Sequence, residues 1–388
     1  MAARSEFGFL RDPALLRLWD VLPGARVVGG AVRDGVLGYP VADIDLATSL
    51  LPEDVVALVQ AAGLRVIPTG LAHGTVTALV DGRSFEVTTL RRDVATDGRH
   101  ATVAYTANWA ADAARRDFTF NAMSLERDGT VHDHFGGRAD LAAGEVRFVG
   151  DPAIRIAEDY LRVLRFFRFL ARYGRGAPDA ATLAALRGGV PGLAILSPER
   201  VWSELKRILI APDPVAALSL AGTLGVIAAV LPEASHPDRL ATLVSAGAPA
   251  DPLLRLAAWV DGEVDPLADR LRLSNPERDT LLAYRQPAPE LTEAGFRRAL
   301  ADAPATVVAG RLWLAGAETS DVARLNRIAP PTFPLHGRDL LSLGATPGPA
   351  LGLALQSLRE EWLAGGCVAD ANALKARFRG QLAGEAPG

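Results

Sequence analysis

A change of period along the chain constrains its fold more than any other feature. Up to about Asp151, short apolar runs alternate with helical stretches; beyond it, apolar residues recur at helical spacing throughout. The expectation is an α+β architecture, with a small mixed-sheet head followed by a longer all-α remainder. Arg26–Gly29, Ile44–Ala47, Val76–Val80 and Phe85–Leu90 are bounded by Gly, Pro or Asp and read as strands. Gly30–Gly38 and Pro52–Ala61 read as helices, the second with Ser49 as a candidate cap. Asp81-Gly82 between two apolar runs predicts a hairpin turn. Arg91–Asn108 is polar, with little periodicity, and reads as a loop.

Further along, Ile156, Tyr160, Leu161, Leu164, Phe167 and Leu170 predict one long amphipathic helix over Ile154–Tyr173, followed by a second at Pro198–Ile210. The uncharged stretch between Asp213 and Glu233 is interrupted by Pro214, Gly222, Gly225 and Pro232, so a pair of buried helices fits it better than a membrane span. Pro330, Pro331 and Pro334 mark a boundary before a last helical segment. Trp202, Trp259, Trp313 and Trp362 fall at helical core positions.

The charge balance narrows the functional classes. A net charge of -4 speaks, as a sum, against sequence-independent nucleic-acid binding. Its distribution says otherwise, because residues 155–207 hold ten Arg or Lys against five Asp or Glu, an excess of five positive charges. Lys206 and Lys375 are the only lysines, so 39 of the 41 cations are arginines, whose forks suit phosphates and base edges. One cysteine, Cys367, excludes an intramolecular disulfide framework and a thiolate-rich zinc site, and suits a reducing compartment. The stretch Met1–Asp12 has no apolar core with a cleavage site and carries Glu6 and Asp12, so neither a secretory nor a transit peptide is expected. The expected location is cytoplasmic.

Two segments carry the chemistry. Asp43-Ile44-Asp45 places two carboxylates at i and i+2, which on a strand share one face and reach a common divalent cation. Carboxylate oxygens suit Mg²⁺, and Glu86 on a neighbouring strand would bring a third carboxylate alongside. Two metals held this way stabilise the attacking and leaving oxygens of phosphoryl transfer. Just before them, Gly29-Gly30 opens a helix after a strand, where backbone N–H groups can approach a triphosphate, and Arg33 lies one turn along. Alone, each segment also fits a tight turn or a solvated carboxylate. Together, the two segments are much more specific than either.

Gly29-Gly30-Ala31-Val32-Arg33-Asp34, Asp43-Ile44-Asp45-Leu46-Ala47-Thr48 and Arg115-Arg116-Asp117-Phe118-Thr119-Phe120-Asn121-Ala122-Met123 resemble the class II CCA-adding tRNA nucleotidyltransferases. These belong to the polymerase-beta-like superfamily, with bacterial poly(A) polymerases as close relatives. The resemblance continues through Glu86–Arg91, Asp97-Gly98-Arg99-His100, Glu158-Asp159-Tyr160-Leu161-Arg162 and Glu199-Arg200. It implies that Asp43 and Asp45 are metal ligands assisted by Glu86. It also implies that Arg115, Arg116, Asp117 and Asn121 shape the ribose and nucleotide site, and that Asp97 and Arg99 lie on a flexible loop. The implied division is a catalytic head over 1–135, a neck over 136–212, a body over 213–330 and a tRNA-contacting tail over 331–388.

Base choice follows from chemistry. On one helix, Asp159 and Arg162 at i and i+3 share a face. A carboxylate acceptor beside a guanidinium donor matches the pairing edges of cytosine and adenine, each a ring-nitrogen acceptor beside an exocyclic amino donor. Uracil and guanine reverse the pattern, and each buried mismatch costs roughly 1–3 kcal/mol. The competing reading is an ion pair within the helix, worth about 0.2–0.5 kcal/mol. Glu158 and Arg165 flank the pair and join the expected nucleotide site, while Arg168 and Arg172 continue the positive face.

The expected activity is therefore template-independent addition of C, C and A to the tRNA 3′ end, with CTP and ATP as substrates, a two-metal Mg²⁺ site and the tRNA acceptor region as partner. No membrane is involved, and the chain is a monomer or homodimer. A poly(A) polymerase is the nearest alternative, but Ile67–Thr75 stands where that branch has a glycine-arginine-rich segment. A CC-only or A-only enzyme and an inactive tRNA-binding protein are the other readings. His132-Asp133-His134 is discounted as a metal cluster, and the isolated His236 and His336 give no sign of an appended metal-dependent phosphohydrolase domain.

Overall fold

The computed structural model describes residues 7–68, 70–71, 74–96 and 101–384. They divide into two units, Met1–Pro232 and Glu233–Gly388. The first unit opens with helix α1 (Pro13–Val21), capped by the Asp12 carboxylate, which accepts from the Ala14 and Leu15 amides. Then come β1 (Arg26–Val28), α2 (Gly30–Val36), β2 (Asp45–Thr48), α3 (Pro52–Ala61), β3 (Arg65–Ile67), β4 (Thr75–Val80) and β5 (Arg83–Thr89). A ribbon of β6 (Arg91–Thr96) and β7 (Ala101–Tyr105) precedes α4 (Trp109–Ala114), β8 (Ser124–Leu125), β9 (Val131–His132) and α5 (Gly137–Ala143).

Seven of these strands form one mixed sheet in the order β3-β4-β5-β2-β1-β8-β9. Only β2 and β5 pair in parallel, and α3 lies in the crossover that such a pair requires. Asp81 and Gly82 both have positive φ, 50° and 80°, so the predicted hairpin turn joins β4 to β5. Ser49 is not the cap of α3: Leu51 occupies that position, and Pro52 fixes the first helical φ. Arg91–Asn108 contains paired strands rather than only a loop. Backbone hydrogen bonding between the two short segments forms a separate two-stranded sheet, with a register break between Asp93 and Ala95.

Four helices follow: α6 (Pro152–Glu158), α7 (Leu161–Tyr173), α8 (Ala180–Gly189) and α9 (Pro198–Leu209). The single helix expected over Ile154–Tyr173 is thus two. Asp159 leaves helical geometry, with φ -158° and ψ 107°, and its carboxylate accepts from the Leu161 amide at 3.1 Å. A carboxylate that bonds a nearby backbone amide competes with continuation of the helix. The uncharged stretch folds as the expected helix pair, α10 (Val215–Thr223) and α11 (Val226–Val230), turned by Gly225 at φ 81°.

A phenylalanine cluster fastens α7 to the segment before β8. Phe118 lies 4.7 Å from Phe148 and 5.1 Å from Phe169, and Phe118, Phe120, Phe148, Phe166 and Phe167 are almost wholly buried. Burying each such ring contributes about 1.5–3 kcal/mol, and each ring pair adds roughly 0.5–1.5 kcal/mol. The packing fixes Asp117 and Asn121, which flank these phenylalanines in sequence.

The named elements of the second unit are all helices, from Pro237–Ser245 to Ala371–Gly384. Leu335, Leu340, Leu358, Trp362, Leu374 and Phe378 form a core there, and Trp259 and Trp313 are buried as predicted. No helix among the described residues is long and apolar enough to cross a membrane.

Candidate active site

A cleft of about 720 Å³ opens in the first unit between the sheet and helices α7 and α9. Asp45 and Glu86 form its acidic floor, and Asp43 lies outside the lining. Asp43 precedes β2 rather than lying within it, yet burial still alternates, with Ile44 and Leu46 inside and Asp43 and Asp45 accessible. The parallel register sets Leu46 beside Val87, which brings Asp45 next to Glu86. Partial burial, then the Glu86 and Asp43 carboxylates, push the Asp45 carboxyl above its ordinary range, against the opposing pull of Arg116. Such mutual repulsion is what a divalent cation relieves. Among the described residues no set of three His, Cys, Asp or Glu side chains closes around one metal position. A pair of aspartates that leaves the other positions to water and substrate oxygens fits the way Mg²⁺ is usually held.

Gly29 and Gly30 form one edge of the floor, Gly29 at φ 67°, a conformation that suits glycine. Arg33 is tied at both ends. It forks onto Asp34 at 2.9 and 3.0 Å and donates to Asn121 Oδ1 at 2.8 Å, and it lines the cleft.

The opposite wall is rich in arginines, most of them matched to a carboxylate. Asp112 holds Arg115 and Arg116, at 2.8 and 3.2 Å. These two arginines, with hydrogen bonds from Arg115 and the Arg91 amide, outweigh the burial of Asp112 and hold its carboxyl below the usual range. Buried Asp117 accepts from Asn121 Nδ2 at 3.0 Å, from its neighbour's amide at Phe118 and from Arg165 Nε at 2.6 Å. Its burial is outweighed by Arg165 and these bonds, and its carboxyl is held low. With its oxygens so occupied, Asp117 acts on Asn121 and Arg165 rather than offering a free acceptor.

Asp159 and Arg162 both line the cleft, but they do not pair with each other. Asp159 accepts from Arg200 of α9 at 2.7 Å; Arg162 donates to Glu158 at 2.6 Å, to Arg155 O at 2.9 Å and to Arg115 O at 3.2 Å. Glu158, also paired with Arg155, stands behind Arg162 and not on the cleft wall. An ion pair between Asp159 and Arg162, the bland reading of their spacing, does not form. Asp97 and Arg99 lie outside the described residues.

Arg168, Arg200 and Arg207 also line the cleft. Arg168 and Arg207 share the buried Glu204 carboxylate at 3.1 and 3.2 Å. Burial lowers Arg168 to about 10, with Glu204 opposing. The excess of positive charge over residues 155–207 signalled such a surface, but only the packing of α9 on α7 selects these three arginines. Of the discounted histidines, His132 bonds Glu126, and Asp133 accepts from the Gly137 and Arg138 amides at the start of α5.

An acidic floor facing a guanidinium wall, with a glycine pair between them, defines the head of a nucleotidyl-transfer enzyme. Family models agree: residues 25–147 match the poly A polymerase head domain, and residues 177–236 match the probable RNA and SrmB-binding site of polymerase A. The chain is 38% identical to the mitochondrial CCA tRNA nucleotidyltransferase 1 of Danio rerio, over 87% of its own length and 83% of that relative's. It is 32% identical to the CCA-adding enzyme of Lacticaseibacillus paracasei, over 88% of each. Among solved structures, the CCA-adding enzyme of Bacillus stearothermophilus in complex with CTP superposes with a TM-score of 0.75 at 28% identity, covering 96% of this chain and 98% of that one. The chain belongs to the family of CCA-adding tRNA nucleotidyltransferases.

Proposed function

We propose that this enzyme adds C, C and A, without a template, to the 3′ end of tRNA from CTP and ATP, with release of pyrophosphate. The observation that carries the reading is the single cleft in which Asp45 and Glu86 face Asp159 and Arg162. Relatives captured with CTP and, in Thermotoga maritima, with tRNA support the choice of nucleotide and acceptor.

Asp43 and Asp45 would hold Mg²⁺, with Glu86 alongside, and the bound ions would supply charge stabilisation at the reacting phosphate. Gly29, Gly30, Arg115 and Arg116 receive the triphosphate, and Asn121 the ribose. Arg33 and Arg165 hold Asn121 and Asp117 in place. Asp159 accepts from the exocyclic amine of cytosine or adenine while Arg162 donates to the ring nitrogen. Because Arg200 and Glu158 fix these two side chains in advance, the protein edge itself serves as the template. The division into head, neck, body and tail at 135, 212 and 330 belongs to this reading. So does a cytoplasmic location, which rests on the lone Cys367; the Danio rerio relative is by name mitochondrial.

Incubation with tRNA lacking its last three nucleotides, plus CTP and ATP, should yield three additions and then stop, resolved on a gel. Long A tails would make the enzyme a poly(A) polymerase; a halt after CC, or addition of A alone to tRNA already ending in CC, would assign it half the reaction.

A further inference from the structure

Asp112 belongs to neither the acidic floor nor the base-reading pair, and it does not line the cleft. It is only 3% exposed, on α4, yet it receives hydrogen bonds from three places. Arg115 donates to Oδ1 through Nε at 2.9 Å and Nη2 at 2.8 Å, Arg116 donates to Oδ2 at 3.2 Å, and the Arg91 amide donates to Oδ1 at 3.2 Å. One carboxylate thus orients both arginines from behind while their other faces meet the cleft.

The third bond gives the cluster its reach. Arg91 is the first residue of the β6–β7 ribbon. Two strands alone are at best marginally stable, so the ribbon's direction depends on what fastens its root. Thr106 N donates to Leu90 O at 2.9 Å, Tyr105 packs over Gly74, and Asp112 holds the Arg91 amide. Of these three fastenings, only the last is made to a group that also grips Arg115 and Arg116.

We propose that Asp112 is a positioning residue that aims Arg115 and Arg116 at the triphosphate and joins them to the root of the ribbon, so that nucleotide binding is transmitted to the ribbon. The proposal rests on the reading of Arg115 and Arg116 as triphosphate ligands. A charged acceptor shared by two guanidinium groups fixes both, whereas a neutral one leaves them to solvent and to each other's repulsion.

Asp112→Asn keeps the shape and removes the charge. Steady-state CMP incorporation into tRNA lacking its last three nucleotides should show KM for CTP raised roughly tenfold or more, with KM for tRNA unchanged, the size expected for charge-assisted hydrogen bonds. Hydrogen exchange over residues 91–105 supplies a readout that a merely structural residue would leave alone. CTP should slow exchange there in the wild type and leave it unchanged in Asp112→Asn at saturating CTP. A native KM for CTP, or an equal ribbon response in both proteins, overturns the proposal. If Asp112→Asn does not fold, Asp112→Glu retains the charge but displaces the arginines by a methylene; it should raise KM for CTP alone, and a native value overturns the proposal equally. A wild type that neither binds CTP nor extends tRNA would instead sink the functional reading beneath it.

Discussion

The floor and the wall of the cleft handle charge in opposite ways. On the floor, Asp45 is repelled by Glu86 and Asp43. Facing it, the carboxylates that hold the wall's arginines, Asp112, Asp117, Glu158, Asp159 and Glu204, each have an arginine partner within 3.2 Å. The floor is left with unrelieved negative charge, whereas the wall already holds its geometry. Charge is therefore left unpaired on the floor and preorganised along the wall.

That contrast can be broken experimentally. Asp45→Ala should have the largest effect, lowering incorporation by roughly a thousandfold or more, since metal-borne charge stabilisation is worth several kcal/mol. Binding of tRNA, measured by filter retention, should stay within a few fold. Turnover near the wild-type level would remove Asp45 from the metal site, and loss of tRNA binding would show that the floor has a structural role too.

Asp117→Asn tests the wall's internal pairing through stability. Breaking a buried pair that leaves Arg165 uncompensated should cost about 3–5 kcal/mol in denaturant unfolding at neutral pH. The sign of the pH dependence follows from the low folded-state pKa of Asp117. Its contribution is fully present above the unfolded value of about 3.9 and is lost as pH falls through the lower folded value. The gap between wild type and variant should therefore hold above about pH 4 and narrow below it. Stability curves that run parallel through the acid range would show that the Asp117 charge is not what holds Arg165 and Asn121.

A smaller effect is expected at the Asp159 and Arg162 edge. Asp159→Ala or Arg162→Ala should relax selection against UTP and GTP by about tenfold, more than either weakens triphosphate binding. An equal loss with all four nucleotides would mean that these side chains serve only their partners Arg200 and Glu158.

Much of the floor was legible because its signals are local. The Asp-Gly turn, the alternation around Asp45 and the glycine pair after β1 each occupy a few residues, and strand pairing then brings Glu86 alongside. The wall was harder to read. Apolar spacing runs unbroken through Ile156, Tyr160 and Leu164, so nothing in the periodicity reveals that Asp159 ends one helix and bonds the first amide of the next. The same spacing suggested an Asp159–Arg162 pair, whereas folding offered each a partner with better geometry. Arg200 and Arg207 come from some forty residues downstream, and Asp112 precedes the motif whose arginines it holds. Such relations arise from tertiary packing. The β6–β7 ribbon was obscured differently, because interspersed charged residues and Gly98 weaken the alternation that marks a strand.

The ends of the main sheet carry a consequence for solubility. Its outermost strands, β3 and β9, are three and two residues long. An exposed sheet edge is a template on which another chain can add a strand, and edges this short offer few backbone groups for such growth. The head therefore keeps its longest strands, β4 and β5, paired within the fold and presents stubs at its margins. This protection against edge-to-edge aggregation leaves the central strands β2 and β5 free to carry Asp45 and Glu86 without also having to guard the sheet.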